Sequence, residues 1–162
     1  MLETLETDYV GRTFELEPVC APGLRLEVIN GTTLYGYNVL LGDKKDVAYQ
    51  RWRFELAAIV IEGSTSYAYY YLVATHWKHV LASHWSSAKD GSNVVQQKLA
   101  AEKQNMWRLS DNGDGTFCLI NRASKTTQLS VAGNGSTAGT NVQVNTINNE
   151  SPGQRWKLFP VE

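Results

Sequence analysis

Cysteine is scarce in this chain: Cys20 and Cys118 are the only two in 162 residues. Two thiols build neither a disulfide framework nor a zinc set. One bridge or two free thiols fit the count, and free thiols are the expectation in a reducing compartment. A basic excess is also missing. Lys and Arg number 15 against 16 Asp and Glu, so the net charge is -1, and the electrostatic footprint of a nucleic-acid binder is absent. Long apolar runs are missing too. The stretch LAAIVI (56–61) is far too short to span a bilayer, so no membrane insertion is expected. The N-terminal MLETLETDYV is acidic and lacks the apolar segment of a signal peptide. That gives the expectation of a cytoplasmic chain, or of a domain excised from a longer secreted protein. Proline is sparse, with four in the chain, yet no segment keeps a helical period. No serine sits in a nucleophile motif, and no Cys–His pair is close in sequence, so neither catalysis nor a cofactor is expected.

What is present is repetition. YQRWRFE (49–55) and GQRWKLF (153–159) share Gln-x-Trp-basic-apolar, and QNMWRLS (104–110) holds a third tryptophan followed by Arg-Leu. Trp52, Trp107 and Trp156 step by 55 and 49. Gly-x-Asn-Val occurs as GYNV (36–39), GSNV (91–94) and GTNV (139–142), with steps of 55 and 48. Leu26, Leu81 and Leu129, and the aromatics Phe14, Tyr69 and Phe117, keep those steps. Four landmarks in one register define three copies of a unit of about 50 residues, approximately 13–56, 68–111 and 116–160. A single domain over residues 1–162 is the expectation.

Each copy reads as four short strands. TFELEPV, YAYYYLVA and GTFCLIN open the copies with aromatic and β-branched composition. LRLEVI, HVLAS and TQLSVA follow, then NVLL, NVVQQ and NVQV. RWRFEL, MWRLS and RWKLF close them, alternating large apolar with basic residues as half-buried strands do. Gly, Asn, Ser and Asp clusters such as INGTT, AKDGS and AGNGSTAGT punctuate the strands. Four strands taken three times predict a twelve-stranded all-β closed barrel with threefold pseudosymmetry, because closure removes exposed edges.

Three four-stranded copies closed by Gln-x-Trp resemble the ricin B-type (QxW) β-trefoil lectin family. The resemblance covers residues 13–161, and the third copy follows the family pattern from end to end. It implies a β-trefoil whose repeated Trp, Leu and aromatic positions are core. It also implies shallow sugar pockets, one per copy: a carboxylate just after the landmark Leu, a ring shortly after the third strand, and an Asn–Gln pair before the Trp. A carboxylate accepts two sugar hydroxyls, a ring covers the apolar face of a pyranose, and amides fix orientation. In this chain the carboxylate slot holds Glu27, Ala82 and Ser130. The ring slot holds Gly42, Gln97 and Asn145, with no ring in any copy. The amide slot holds Gln50, Asn105 and Gln154, and only copy two has a pair, Gln104–Asn105, in reversed order. No copy keeps the full set. Copy one, with Glu27, Gln50 and nearby Asn38, is one candidate pocket, where Tyr35, Tyr37 or Tyr49 would supply a ring. Copy two, with His84, Trp85 and Asn105, is the other. Copy three looks empty as a site.

Copy two also carries THWKHVLASHW (75–85), which holds all three histidines together with Trp77 and Trp85. These tryptophans lie outside the repeated slot, so an exposed aromatic platform for a glycan or a protein is one reading and ordinary packing another. His-x-x-His on an extended strand would split its rings between two faces, which argues against a metal site. DNGDGT (111–116) resembles the start of a calcium loop but lacks the later glutamate, so a tight turn is expected. NGT (30–32) and NGS (134–136) fit both a glycosylation sequon and turn chemistry. The functional expectation is a non-catalytic carbohydrate-binding module that takes glycans or glycoconjugates. The alternative is a protein-binding β-trefoil such as a protease inhibitor or assembly module, which presents loops on the same rigid barrel.

Overall fold

The structure is a computed structural model and describes residues 9–161. Residues 1–8 and 162 lie outside the described residues, and with them most of the N-terminal segment read above for a targeting signal. Twelve strands follow in order: β1 Thr13–Pro18, β2 Leu24–Val28, β3 Val39–Asp43, β4 Trp52–Glu62, β5 Thr65–Ala74, β6 Val80–Ser83, β7 Val94–Gln97, β8 Trp107–Asp111, β9 Phe117–Asn121, β10 Thr127–Val131, β11 Val142–Thr146 and β12 Trp156–Val161.

Six of them close a ring. β1 pairs β4, β4 pairs β5, β5 pairs β8, β8 pairs β9, β9 pairs β12, and β12 returns to β1, all antiparallel. The other six form three hairpins, β2–β3, β6–β7 and β10–β11. The hairpins meet one another through the bridges Asn38↔Val95, Leu40↔Asn141 and Asn93↔Gln143. A six-stranded barrel joined to a triplet of hairpins is a β-trefoil, the all-β architecture expected from the three copies.

The landmarks of the sequence explain why the ring closes. Trp52, Trp107 and Trp156 are fully buried, as are Leu26, Leu81 and Leu129. Each indole N–H donates to the carbonyl of its own copy's leucine, at 3.1, 2.9 and 3.1 Å. A large ring is thus buried without stranding its polar N–H, and the fourth strand of each copy is tied to the second. Phe14, Phe54 and Tyr70 fill the barrel, and Tyr9 stands against all three and against Phe117.

Gly-x-Asn-Val joins the copies. Gly36, Gly91 and Gly139 have φ of 82°, 85° and 93°, a region that suits glycine. Each turn bonds to the third strand of the next copy in a cycle. The Gly36, Gly91 and Gly139 N–H groups donate to the carbonyls of Gln96, Val144 and Leu41. The three asparagines close a second cycle: Asn38 Nδ2 donates to Asn141 Oδ1, Asn141 Nδ2 to Asn93 Oδ1, and Asn93 Nδ2 to Asn38 Oδ1, each at 2.8 Å. Val39, Val94 and Val142 then enter the core.

Two features were not legible in the repeat. The β4–β5 hairpin is far longer than its counterparts. The apolar run 56–61 continues β4 past a bulge at Leu56/Ala58 to a turn at Gly63, leaving Ile59 and Ile61 exposed. A buried ionic cluster also lies outside the repeat pattern. Arg25 Nε donates to Glu15 Oε1 at 2.9 Å, Arg25 Nη1 bonds Glu17, and Arg51 lies 3.5 Å from Glu15. Arg25, Glu15 and Glu17 are buried together, and the two carboxylates offset the guanidinium of Arg25; Arg51 is partly exposed at the edge of the cluster, and its Nε has no hydrogen-bond partner among the described residues.

Candidate functional site

The amide before each tryptophan rides on a short 3₁₀ turn, at Ala48–Gln50, Lys103–Asn105 and Pro152–Gln154. In copies one and three it clamps the preceding loop. Gln50 Nε2 donates to the Asp43 carbonyl at 2.6 Å while its Oε1 accepts from Lys45 N at 3.1 Å. Gln154 repeats this with the Thr146 carbonyl at 3.1 Å and Asn148 N at 2.8 Å.

In copy one the structure brings Glu27 and Gln50 together, but onto each other. Gln50 Nε2 also donates to Glu27 Oε1 at 2.8 Å, and Lys45 Nζ lies 3.3 Å from the same oxygen. Both side chains are buried, Glu27 at 5% exposure and Gln50 at 0%. The extra methylene of Glu27 carries its carboxylate into the space over Gly42, where a Cβ would lie 1.7 Å from Oε1. The vacant ring slot is therefore filled by the copy's own carboxylate. Asn38 does not join this pair, since both of its amide atoms belong to the asparagine ring.

Copy two differs. Asn105 is one methylene shorter than glutamine and makes a single clamp bond, Nδ2 to the Ala100 carbonyl at 3.1 Å. Its Oδ1 is buried and finds no donor among the described residues, although the residue is only 2% exposed. A cleft of about 340 Å³ opens in front of it. Ser83, His84 and Gln97 line one part of the cleft, and Ala100, Glu102, Gln104 and Asn105 another. Tyr35 and Lys98 complete the lining. Gln104 Nε2 donates to Glu102 Oε2 at 2.5 Å in an exposed contact. Of the residues singled out from sequence, His84 and Asn105 thus share one cleft. Trp85 stands beside it, 63% exposed, with its ring 4.6 Å from that of His84.

Tyr35, Lys98 and Glu102 were missed as members of this cleft. Tyr35 was assigned to copy one, where it lies in sequence. The structure sends it to copy two, because each Gly-x-Asn turn rests on the next copy's third strand. The one available signal was divergence at a repeat position: Tyr35 aligns with Asp90 and Ala138.

His84 stands apart from His76 and His79. Residues 75–79 turn rather than extend, so His76 and His79 both reach the same neighbouring segment instead of opposite faces. His76 Nε2 meets the Thr32 carbonyl at 2.8 Å. His79 is buried beside the Thr33 backbone, and its Nδ1 has no hydrogen-bond partner among the described residues. Burial pushes the His79 pKa down, the Thr33 backbone opposes this, and His76, Lys78 and Lys98 nearby add to the downward shift. Trp77 is about half exposed, with Lys78 Nζ 5.7 Å from its ring. In DNGDGT the carboxylates serve the turn: Asp111 accepts from Gly113 N, and Asp114 accepts from Thr116. The Thr116 hydroxyl and then Arg155 hold the Asp114 pKa down to about 2. Cys20 and Cys118 are both free, and burial raises both thiol pKa values.

The designed threefold-symmetric protein ThreeFoil is 29% identical, with a TM-score of 0.80, over 92% of this chain and 99% of that one. The ricin B-like lectin of Macrolepiota procera, solved in complex with lactose, is 17% identical, with a TM-score of 0.72, over 93% and 96%. The exo-β-1,3-galactanase 1,3Gal43A of Clostridium thermocellum is 19% identical, with a TM-score of 0.79; 98% of this chain matches, spanning 32% of the galactanase. No curated protein sequence matches the chain. The family model described as ricin-type beta-trefoil lectin domain-like matches residues 48–145, more than half of the chain. The closed barrel, the three leucine-bonded tryptophans and this match place the chain in the ricin-type β-trefoil lectin-like family.

Proposed function

We propose that the chain is a non-catalytic glycan-binding module whose working site is the cleft of copy two. The observation that carries this reading is the cleft itself, which gathers the Glu102 carboxylate, Gln104 and His84 with Asn105, whose buried Oδ1 has no donor among the described residues. A sugar hydroxyl satisfies such an oxygen, and an unmet buried acceptor otherwise costs free energy. Glu102, Gln104, Asn105 and His84 together offer the acceptors and donors that vicinal hydroxyls need. The lactose complex of the Macrolepiota lectin supports the class of ligand on this fold. The Glu27–Gln50 pair of copy one is read as structural, because its polar groups are spent on each other.

The test is a glycan array probed with the wild-type chain, His84→Ala and Asn105→Ala. Wild-type binding that falls by about tenfold in each variant, the size of a well-packed contact, is the expected result. Binding that survives both variants moves the site elsewhere. A silent array at high protein concentration favours the protein-binding reading, for which exposed Ile59 and Ile61 on the β4–β5 hairpin are the supporting observation.

A further inference from the structure

We infer that the site of copy two is shared between copies, with Tyr35 of copy one as the ring that covers the apolar face of a bound pyranose. This rests on the reading of the cleft as a glycan site. The ring slot of copy two holds Gln97, so no ring stands there; His84, in the cleft, and Trp85, beside it, follow the second strand instead. Tyr35 nevertheless lines the cleft, with 55% of its surface exposed.

Its place there is built. The Gln96 side chain is fully buried in β7 and donates through Nε2 to the carbonyls of Thr32 and Leu34, at 2.8 and 2.6 Å. The backbone adds Gly36 N to Gln96 O at 2.7 Å and Gln96 N to Tyr37 O at 2.9 Å. Residues on both sides of Tyr35 are thus fixed to copy two, which limits the entropy lost when a ligand meets the ring.

The pseudosymmetry supplies an independent observation. Asp90, which aligns with Tyr35, crosses to copy three in the same way: its Oδ1 accepts from Asn145 Nδ2 at 3.2 Å and from Thr146 N at 2.7 Å. Asn145 is the ring slot of copy three, and Thr146 aligns with Lys98 of copy two. The residue before the Gly-x-Asn turn therefore addresses the next copy's slot, and the one that reaches copy two, Tyr35 of copy one, is aromatic. Lys98 Nζ already lies 4.4 Å from the Tyr35 ring centroid, which shows that the ring takes a partner on its face. Lys98 is exposed and flexible, so a sugar displaces it without opening the core. The ligand class that follows is a pyranose whose C–H groups form one uninterrupted apolar face, with its hydroxyls turned to Glu102 and Asn105.

The experiment uses the full chain on an array of galactosides, N-acetylhexosaminides, glucosides and mannosides, comparing wild type, Tyr35→Ala, Tyr35→Phe and Asn105→Ala. Upfield shifts of sugar C–H protons are then read by NMR on the strongest of these sugars. The expected result is a loss of about tenfold in Tyr35→Ala, affinity kept in Tyr35→Phe, and ring-induced shifts present in wild type and Phe but not in Ala. Binding lost in Asn105→Ala but unchanged in Tyr35→Ala overturns the shared site and leaves the glycan reading standing. Binding unchanged in both variants overturns the shared site and moves the glycan site out of this cleft, and binding absent from wild type overturns the glycan reading with it.

Discussion

Glu27 shows how one residue converts a pocket into a support. Its carboxylate lies over Gly42 and accepts from Gln50 and Lys45. A methyl group at position 42 collides with that oxygen and forces it off Gln50. Gly42→Ala is therefore expected to destabilise the chain by about 1–3 kcal/mol, the cost of a broken buried hydrogen bond with local overpacking. In a Glu27→Ala background the three nearest atoms are gone, and the same change is expected to cost less. Denaturant unfolding of the four chains forms a double-mutant cycle. Equal costs for Gly42→Ala in both backgrounds would remove the steric account. The residue types of this site were visible in the sequence, as a carboxylate and an amide in the family's slots. Their use was not, because one methylene and one missing side chain decide whether Glu27 faces a ligand or its neighbour.

The segment before Gly36 and the turn that carries His76 and His79 are elements whose contacts cross from one copy to another. The sequence showed three histidines in eleven residues but not what they touch. Strand periodicity describes a segment's own faces, whereas these rings meet a different copy. His79 connects that contact to pH. Its pKa lies below the ordinary histidine value of 6.5, chiefly through burial. The groups that face it are His76, Lys78, Lys98 and the Tyr35 ring, so no carboxylate among them offsets a proton. The folded chain prefers neutral His79, while the unfolded chain takes the proton more readily. The resulting stability is complete above pH 6.5 and is lost as pH falls from there through the folded-state pKa. Thermal unfolding from pH 7.5 to 5 is expected to show a steeper fall in Tm for wild type than for His79→Gln. Parallel profiles would assign the pH dependence to other groups.

At the scale of the whole molecule, the threefold pattern was legible because core positions repeat: tryptophan, leucine and valine must recur wherever identical strands pack. The asparagine of Gly-x-Asn-Val recurs for a different reason, one that no single copy contains. Asn38, Asn93 and Asn141 form a cycle in which each amide donates once and accepts once. Replacing any member removes two of the three bonds at once. Replacing a second removes the last one, and a third replacement removes none. Asn141→Ala, Asn93→Ala and Asn38→Ala are each expected to cost about 1–3 kcal/mol, the worth of two ordinary hydrogen bonds. The double variants are expected to cost little more, and the triple no more than a double, so the three single costs sum to well above the triple. Unfolding free energies of the seven variants test this. If the triple equals the sum of the singles, each asparagine acts within its own copy and the cycle does not join them. If the sum exceeds it, the copies are coupled at the axis, and the Gly-x-Asn turn that sends Tyr35 to its neighbour also holds the three hairpins in register.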